Sequence, residues 1–392
     1  MFRQKTGRSR SFGGRFIGNK PRARQKQFSD VSKFISKAVP FSEEKPYEAV
    51  NSFAGFDIDG RLKKNISRVG YDSPTPIQDQ AIPYVLAGRD IVGIANTGTG
   101  KTAAFIVPLL DKVIKDNRQN VLIVAPTREL AIQINQEFIK FASGLGIFSV
   151  CLVGGMPIFR QISDLKRRHN FIIGTPGRIK DIIKRGCLKL NNFQTAVLDE
   201  SDRMLDMGFI NDMRFLMSAM PKGRQTLFFS ATLSGDIKNL ISEFLNDPVS
   251  ISVKTGDTAS GVDQDVVYVK NGVKFDLLYN LLVQPEFNKV LIFGRTKHGV
   301  ERLSRLLSNS GLKAESIHGN KNHNQRQRAL KLFKDSQINV LVATDVAARG
   351  LDIPDVSHVI NYELPVTYED YIQRIGRTGR GGKAGKALTF IE

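Results

Sequence analysis

The 392-residue chain has only two cysteines, Cys151 and Cys187, far apart and outside any Cys-x-x-Cys pair. That scarcity argues against structural zinc and against a disulfide framework, and a reducing cytoplasm is the expected home. No apolar run approaches the roughly 20 residues a bilayer helix needs. The basic N-terminus lacks the apolar segment of a secretory signal, so neither a membrane nor export is expected. Acid is absent before Asp30, whereas Arg3, Lys5, Arg8, Arg10, Arg15, Lys20, Arg22, Arg24 and Lys26 alternate with Gly, Ser and Phe. Such a segment cannot bury enough apolar surface to fold alone and reads as a disordered tail. It serves either as a solubilising tail or as a loose phosphate-binding arm. Its nine positive charges leave +10 of the formal +19 on the rest of the chain. That excess points to a polyanionic partner, and by itself does not choose among RNA, DNA and acidic lipid.

The rest is ordinary for a folded chain, with 41% apolar and 24% charged residues, and the length suffices for two or three domains. Residues 1–47 are assigned to the basic tail and a mixed linker with room for one short helix. A helical pattern at Leu62, Ile66 and Val69 ends at Gly70, and Pro74 and Pro76 then favour an extended turn. Strands are expected at 121–125, 149–153, 171–174, 195–198 and 226–230, with helices from about Arg128 to Ser143 and after Pro176. This alternation predicts an α/β domain over 48–252, with a mostly parallel sheet covered on both faces. Residues 254–261 are polar and aperiodic, so the interdomain linker is placed at 253–263. A second alternation follows in 264–392, with strands at 266–269, 290–293, 340–343, 358–360 and 387–390 and helices near 300–307 and 326–333.

The first domain carries the chemistry-bearing stretch, Asp90-Ile91-Val92-Gly93-Ile94-Ala95-Asn96-Thr97-Gly98-Thr99-Gly100-Lys101-Thr102. A short apolar strand, a glycine-rich turn and a helix start form a phosphate-binding loop. Gly98 and Gly100 let successive amides point inward at an anion, and the helix N-terminus behind them favours it. Thr97 and Thr99 belong to the loop, Lys101 would reach the outer phosphates and Thr102 a magnesium ion. The generic loop opens with Gly, and Ala95 holds that place here. A further acidic stretch, Asp199-Glu200-Ser201-Asp202, follows the apolar Val197-Leu198 and sits where ligands bind in open α/β sheets. Asp199 is expected to hold magnesium through water, and Glu200 to orient and deprotonate an attacking water. Arg377 and Arg380, about one helical turn apart, are expected to act as arginine fingers from the second domain.

Taken together, the chain from about Asn51 to Glu392 resembles the DEAD-box RNA helicases. The resemblance rests on Pro74 to Gln78, Ala95 to Thr102, Pro126 to Leu130, Gly154-Gly155, Thr175 to Arg178, Asp199 to Asp202, Ser230-Ala231-Thr232, Ala343 to Asp352 and Gln373 to Arg380. Their joint order and spacing make it specific, and the family's own phosphate loop usually has Ala at the place of Ala95.

The resemblance implies two tandem RecA-like domains, ATP and Mg2+ as cofactors, and RNA as a largely sequence-independent partner. By the same resemblance Gln78 reads the adenine edge, Phe53 stacks on the ring and Asp352 contacts the ribose. Thr127, Arg128, Gly155, Thr175, Arg178, Gly319 and Thr344 line an RNA backbone path, and Asp202, Ser230, Thr232 and Gln373 couple hydrolysis to strand separation. The implied activity is ATP-dependent separation of short duplexes or remodelling of RNA–protein complexes, by a monomer with ribonucleoprotein or ribosome-assembly partners. An ATP-gated RNA clamp is the alternative, and a DNA translocase a third reading. Ser201 stands where the family usually has Ala, and Gln373 where it usually has His. The ATPase core is expected to survive both, with RNA coupling the property at stake.

Overall fold

A computed structural model of the chain describes residues 31–37, 47–96, 98–253, 261–270, 273–348, 353, 355–379 and 385–392. The basic tail, most of the expected linker, and Thr97, Asp352 and Arg380 lie outside the described residues.

Among the described residues thirteen strands form two sheets. The first contains β1 (Ile91–Ala95), β2 (Val121–Val124), β3 (Ser149–Leu152), β4 (Phe171–Gly174), β5 (Thr195–Leu198), β6 (Gln225–Ser230) and β7 (Val249–Val253), in the order β3-β4-β2-β5-β6-β1-β7. The second contains β8 (Val262–Tyr268), β9 (Val290–Gly294), β10 (Ala314–Ile317), β11 (Val340–Thr344), β12 (His358–Asn361) and β13 (Gly385–Ile391), in the order β10-β11-β9-β12-β13-β8. Every pairing between these strands is parallel. If β8 is matched to β1, the two orders are the same, with β7 added at one edge of the first sheet.

Period-two burial explains the layers. Val121 and Ile123 of β2 enter one apolar cluster while Leu122 and Val124 enter another, so both faces of the sheet are covered. In the second sheet Leu291 and Phe293 face one cluster, and Val290 and Ile292 the other. Several helices start where a side chain satisfies one of their first amides. Thr127 Oγ1 accepts from Leu130 N at 3.2 Å, Thr296 Oγ1 from Gly299 N at 3.0 Å, and Asn322 Oδ1 from Gln325 N at 2.9 Å.

The sequence reading placed most strands within one or two residues. It missed β7 and β10, and β8 begins at Val262 rather than near Val266. In β7 Ser250 and Ser252 alternate with buried Ile251 and Val253, an edge-strand pattern with too few apolar residues to register as a core strand.

Candidate active site

Apart from Phe53 and Gln78, which precede β1, and Gln373, which lies within a helix, the described site residues sit at or beyond the carboxyl ends of strands, and strand order sorts them into two groups. Lys101 follows β1, Asp199 and Glu200 follow β5, and Ser230 ends β6, all on one half of the first sheet. Thr127 and Arg128 follow β2, Gly155 follows β3 and Thr175 and Arg178 follow β4, on the other half. The second sheet repeats the division, with Gly319 after β10 and Thr344 ending β11 at one edge, and Arg377 between β12 and β13.

The glycine loop is built as a cradle. Gly98 and Gly100 have φ of 89° and 90°, a region that side-chain-bearing residues rarely enter. A Cβ on Gly100 would sit 2.4 Å from Gln78 Nε2. Gln78 is fully buried, and both ends of its amide are engaged: Thr75 N donates to Oε1 at 2.9 Å and Nε2 donates to Gly100 O at 3.0 Å. The expected adenine reader thus braces the phosphate loop. Phe53 is also buried, edge-on to Phe56 and Tyr71 with ring centroids 6.0 and 6.1 Å away. Lys101 is buried and its Nζ donates to Ala95 O at 2.9 Å, while Thr102 is half-buried beside it and Thr99 Oγ1 donates to Asn96 O at 2.9 Å.

Burial pushes the Asp199 carboxyl above its usual range; Lys101 draws it back, and the Glu200 carboxylate raises it further. A buried carboxylate in that state gains from a cation. Together with the Thr102 hydroxyl it suits magnesium, which takes one or two protein carboxylates and completes its shell with waters and phosphate, while the loop amides suit the phosphate itself. Among the described residues no group of three or more His, Cys, Asp or Glu could hold a metal by itself. Glu200 has φ of 50°, donates its N–H to Asp199 Oδ1 at 2.9 Å and pairs through Oε2 with Arg203 Nη1 at 2.6 Å, both side chains being buried. Sequence reasoning missed Arg203, although its i,i+3 spacing from Glu200 was a visible signal.

Asp202 links two motifs, because Ala231 N donates to its Oδ2 at 3.1 Å and Arg203 N to its Oδ1 at 3.0 Å. Ser230 Oγ donates to Thr232 O at 2.8 Å, closing the neighbouring turn. Ser201 is fully buried and its hydroxyl donates to Leu198 O at 3.1 Å, so the hydroxyl absent from the usual Ala is satisfied locally.

On the other half of the first sheet, a Cβ on Gly155 would fall 2.1 Å from Arg128 Nη1. A glycine with φ of 77° at Gly155 is therefore required for that arginine to lie over the loop. Arg178 Nη1 donates to Met156 O at 3.1 Å, and its pKa is lowered by burial and by the nearby positive charges of Arg128 and Arg185. Thr127 and Thr175 are buried helix caps. In the second domain, Glu301 accepts from Ser316 Oγ at 2.5 Å, lies 3.0 Å from His318 Nε2 and is held down to about 2 by these contacts, which fix the approach to exposed Gly319.

The helix Tyr368–Ile375 ends with Gly376 as its cap, so Arg377 lies beyond it. Helical spacing therefore does not relate Arg377 to Arg380. Arg377 is buried next to Arg374, which the sequence reading had passed over. Arg374 donates to both oxygens of Asp345, at 2.5 and 2.8 Å, to Asn361 Oδ1 at 3.1 Å and to Glu363 O at 2.7 Å, and lies over the Phe293 ring. It fixes the frame on which Arg377 sits. Gln373 Oε1 is buried without a hydrogen-bond partner in the same pocket. Among the described residues a largely buried ion pair crosses between the domains, Arg326 Nη2 to Glu129 Oε2 at 2.9 Å, and no local sequence signal could have revealed it.

A glycine-loop cradle, a buried carboxylate pair and a second domain of the same strand order mark a two-domain phosphate-loop protein of the nucleoside-triphosphate-binding class. A DEAD/DEAH box helicase family model matches residues 75–240, and a helicase conserved C-terminal domain model matches residues 273–382. The ATP-dependent RNA helicase CshA of Listeria monocytogenes is 46% identical over 345 residues, covering 88% of this chain and 66% of that protein, just under two thirds of its length. Mss116p bound to ssRNA and AMP-PNP is 31% identical, with 91% of this chain and 77% of that one covered and a TM-score of 0.78. Dbp5 of S. cerevisiae bound to RNA and ADP BeF3 is 30% identical, with 87% and 89% covered and a TM-score of 0.76. A DEAD box protein from Methanococcus jannaschii is 39% identical, with 87% and 93% covered and a TM-score of 0.51. The chain belongs to the DEAD-box family of ATP-dependent RNA helicases.

Proposed function

We propose that this chain is the ATPase core of a cytoplasmic RNA helicase that hydrolyses ATP with Mg2+ when RNA is bound and locally separates short duplexes or remodels RNA–protein complexes. The observation that carries the reading is the shared strand order. In both sheets the expected nucleotide residues occupy one half of the carboxyl edge and the expected RNA residues the other, so one closure assembles both sites. ATP and single-stranded RNA then each favour the closed state and tighten each other's binding. The relatives support this. Two proteins bound to RNA and a nucleotide match this chain with TM-scores of 0.76 and 0.78.

In this reading Lys101 and the amides from Thr97 to Gly100 grip the phosphates, and Glu200, held by Arg203, orients the attacking water. A magnesium ion held by Thr102 and Asp199 supplies neutralisation of phosphate charge when bound. Arg377 and Arg380 meet the γ-phosphate from the second domain. Gln78 and Phe53 select adenine, with Gln78 exchanging one of its present partners for the base, and Asp352 holds the ribose. Thr127, Arg128, Gly155, Thr175, Arg178, Gly319 and Thr344 contact sugar and phosphate, which explains weak sequence preference. Asp202, Ser230, Thr232 and Gln373 relay closure, and the protein acts as a monomer among ribonucleoprotein partners.

The Glu129–Arg326 pair across the cleft favours a second reading, an ATP-gated RNA clamp in which retention matters more than unwinding. Glu200→Gln separates the elements of the proposal. It is expected to keep ATP and RNA binding and to lose turnover; retained RNA-stimulated phosphate release would overturn the assignment. In the parent chain, duplex release with ATP supports the helicase, whereas RNA retention without strand release supports the clamp.

A further inference from the structure

The RNA path proposed for the first domain ends at β3, the outer strand of the sheet. From β3 the loop Gly154-Gly155-Met156-Pro157 leads into the helix Ile158–Leu165. Gln161 of that helix is buried, and Ile158 and Leu165 pack on the apolar cluster that covers one face of the first sheet. Gln161 Nε2 donates to Val153 O at 3.0 Å, which pins the helix to the residue after β3. With that face turned inward, Phe159 is turned outward, and its ring is 81% exposed three residues after Met156, itself 37% exposed. A single exposed apolar side chain needs no explanation. This one stands at the carboxyl edge of the sheet on a segment held in place, because Arg178 Nη1 donates to Met156 O at 3.1 Å and Arg128 lies over Gly155.

The surroundings of the ring are basic. Burial lowers the Arg178 pKa, and the positive charges of Arg128 and Arg185 lower it further, with Asp181 opposing them. On the helix and just past it Arg160, Arg167 and Arg168 are exposed, and the acid among them, Asp164, lies 3.8 Å from Arg167 Nη1. Guanidinium groups so placed gain from phosphate, whereas an apolar protein face laid over the same ring would desolvate them without a partner. Cations that follow a backbone, joined to an aromatic ring that receives a base, hold a single strand without reading its sequence. We infer that Phe159 is a stacking platform for one RNA base at the outer end of the first domain's path. The platform rests on the helicase reading and extends it. The residues proposed for the path hold sugar and phosphate, and Phe159 adds contact with the face of a base. A phenyl ring has no hydrogen-bonding group with which to tell bases apart, so it adds affinity without adding sequence preference.

The chain contains no tryptophan, so Phe159→Trp places a single indole at the platform. With AMP-PNP, ssRNA is expected to quench that indole and shield it from acrylamide. An abasic strand of the same length, which keeps the sugars and phosphates, is expected to do neither. Phe159→Ala leaves the core untouched and is expected to weaken ssRNA binding about tenfold while binding of the abasic strand stays parental. Phe159→Tyr, which keeps a ring, is expected to restore most of the affinity. Equal ssRNA affinity in Phe159→Ala and the parent overturns the platform. An equal loss on the abasic strand overturns it too, because the residue would then serve the backbone path alone. An indole still open to acrylamide in the RNA complex does the same and leaves the ring to a partner of another class. Failure of the parent chain to bind ssRNA would overturn the helicase reading itself, whereas the other outcomes overturn the platform alone.

Discussion

The two domains share one strand order and differ at the loop after the first strand. Beyond β1 the chain turns through Gly98 and Gly100 at positive φ and enters a helix at Lys101. Beyond β8 the sequence Val269-Lys270-Asn271-Gly272-Val273 leads to the helix Lys274–Leu282 and lacks the Gly-x-Gly-Lys pattern. At the nucleotide half of the edge, the first domain keeps a buried carboxylate pair, Asp199 and Glu200, whereas the second keeps a buried guanidinium, Arg374, in a cage of acceptors. In the proposed reading the first domain would hold phosphate and a cation and the second would present Arg377 on the frame built by Arg374, so neither would form a complete site alone.

The largest expected effect breaks the comparison from the second domain. Arg377→Ala is expected to lower kcat by about 10³-fold with ATP binding retained; a single-turnover assay with parental phosphate release would remove Arg377 from the site. Lys101→Ala tests the first domain and should weaken ATP binding by about 10²-fold, and a parental nucleotide titration would count against the loop. Glu129→Gln is intermediate, because it leaves each half-site intact and loosens only the ion pair between domains. RNA affinity with AMP-PNP should fall about tenfold while RNA-free nucleotide affinity holds; equal losses in both would mean that Glu129 serves the first domain alone.

The smallest effect is a stability difference between the domains. Burial and the nearby Lys386 charge lower His358 of β12 to about 4, and the ring stacks on Phe287 at 4.0 Å. The folded state therefore prefers neutral imidazole, whereas the unfolded chain takes up a proton near pH 6.5. The contribution is complete above pH 6.5 and is lost as pH falls towards 4, up to about 2 kcal/mol. Glu301, held down to about 2, begins to matter only below its ordinary range near 4.5. Thermal unfolding between pH 6.5 and 4.5 should show the second domain losing stability in the parent and less so in His358→Gln. Equal slopes would remove His358 from the account.

Much of this was legible in local sequence. Short, β-branched apolar runs such as Val121-Leu122-Ile123-Val124 suit strands buried on both faces, and Gly98, Gly100 and Lys101 suit a phosphate turn where the preceding strand ends. Ser250 and Ser252 hid β7, and Gly376 ended a helix that charge spacing alone would have continued to Arg380. Arg203 and Arg374 were overlooked because guanidinium groups are usually solvated, and only their partners show them to be buried.

By itself the sequence determined the two parallel sheets, the glycine loop, the acidic strand end and the family, because each depends on residues within a few positions of one another. Only the tertiary structure decided the Glu129–Arg326 pair, the cage around Arg374 and the docking of Phe34 against Tyr371. These join residues far apart in the chain, and which of them meet depends on how whole sheets and the elements around them pack.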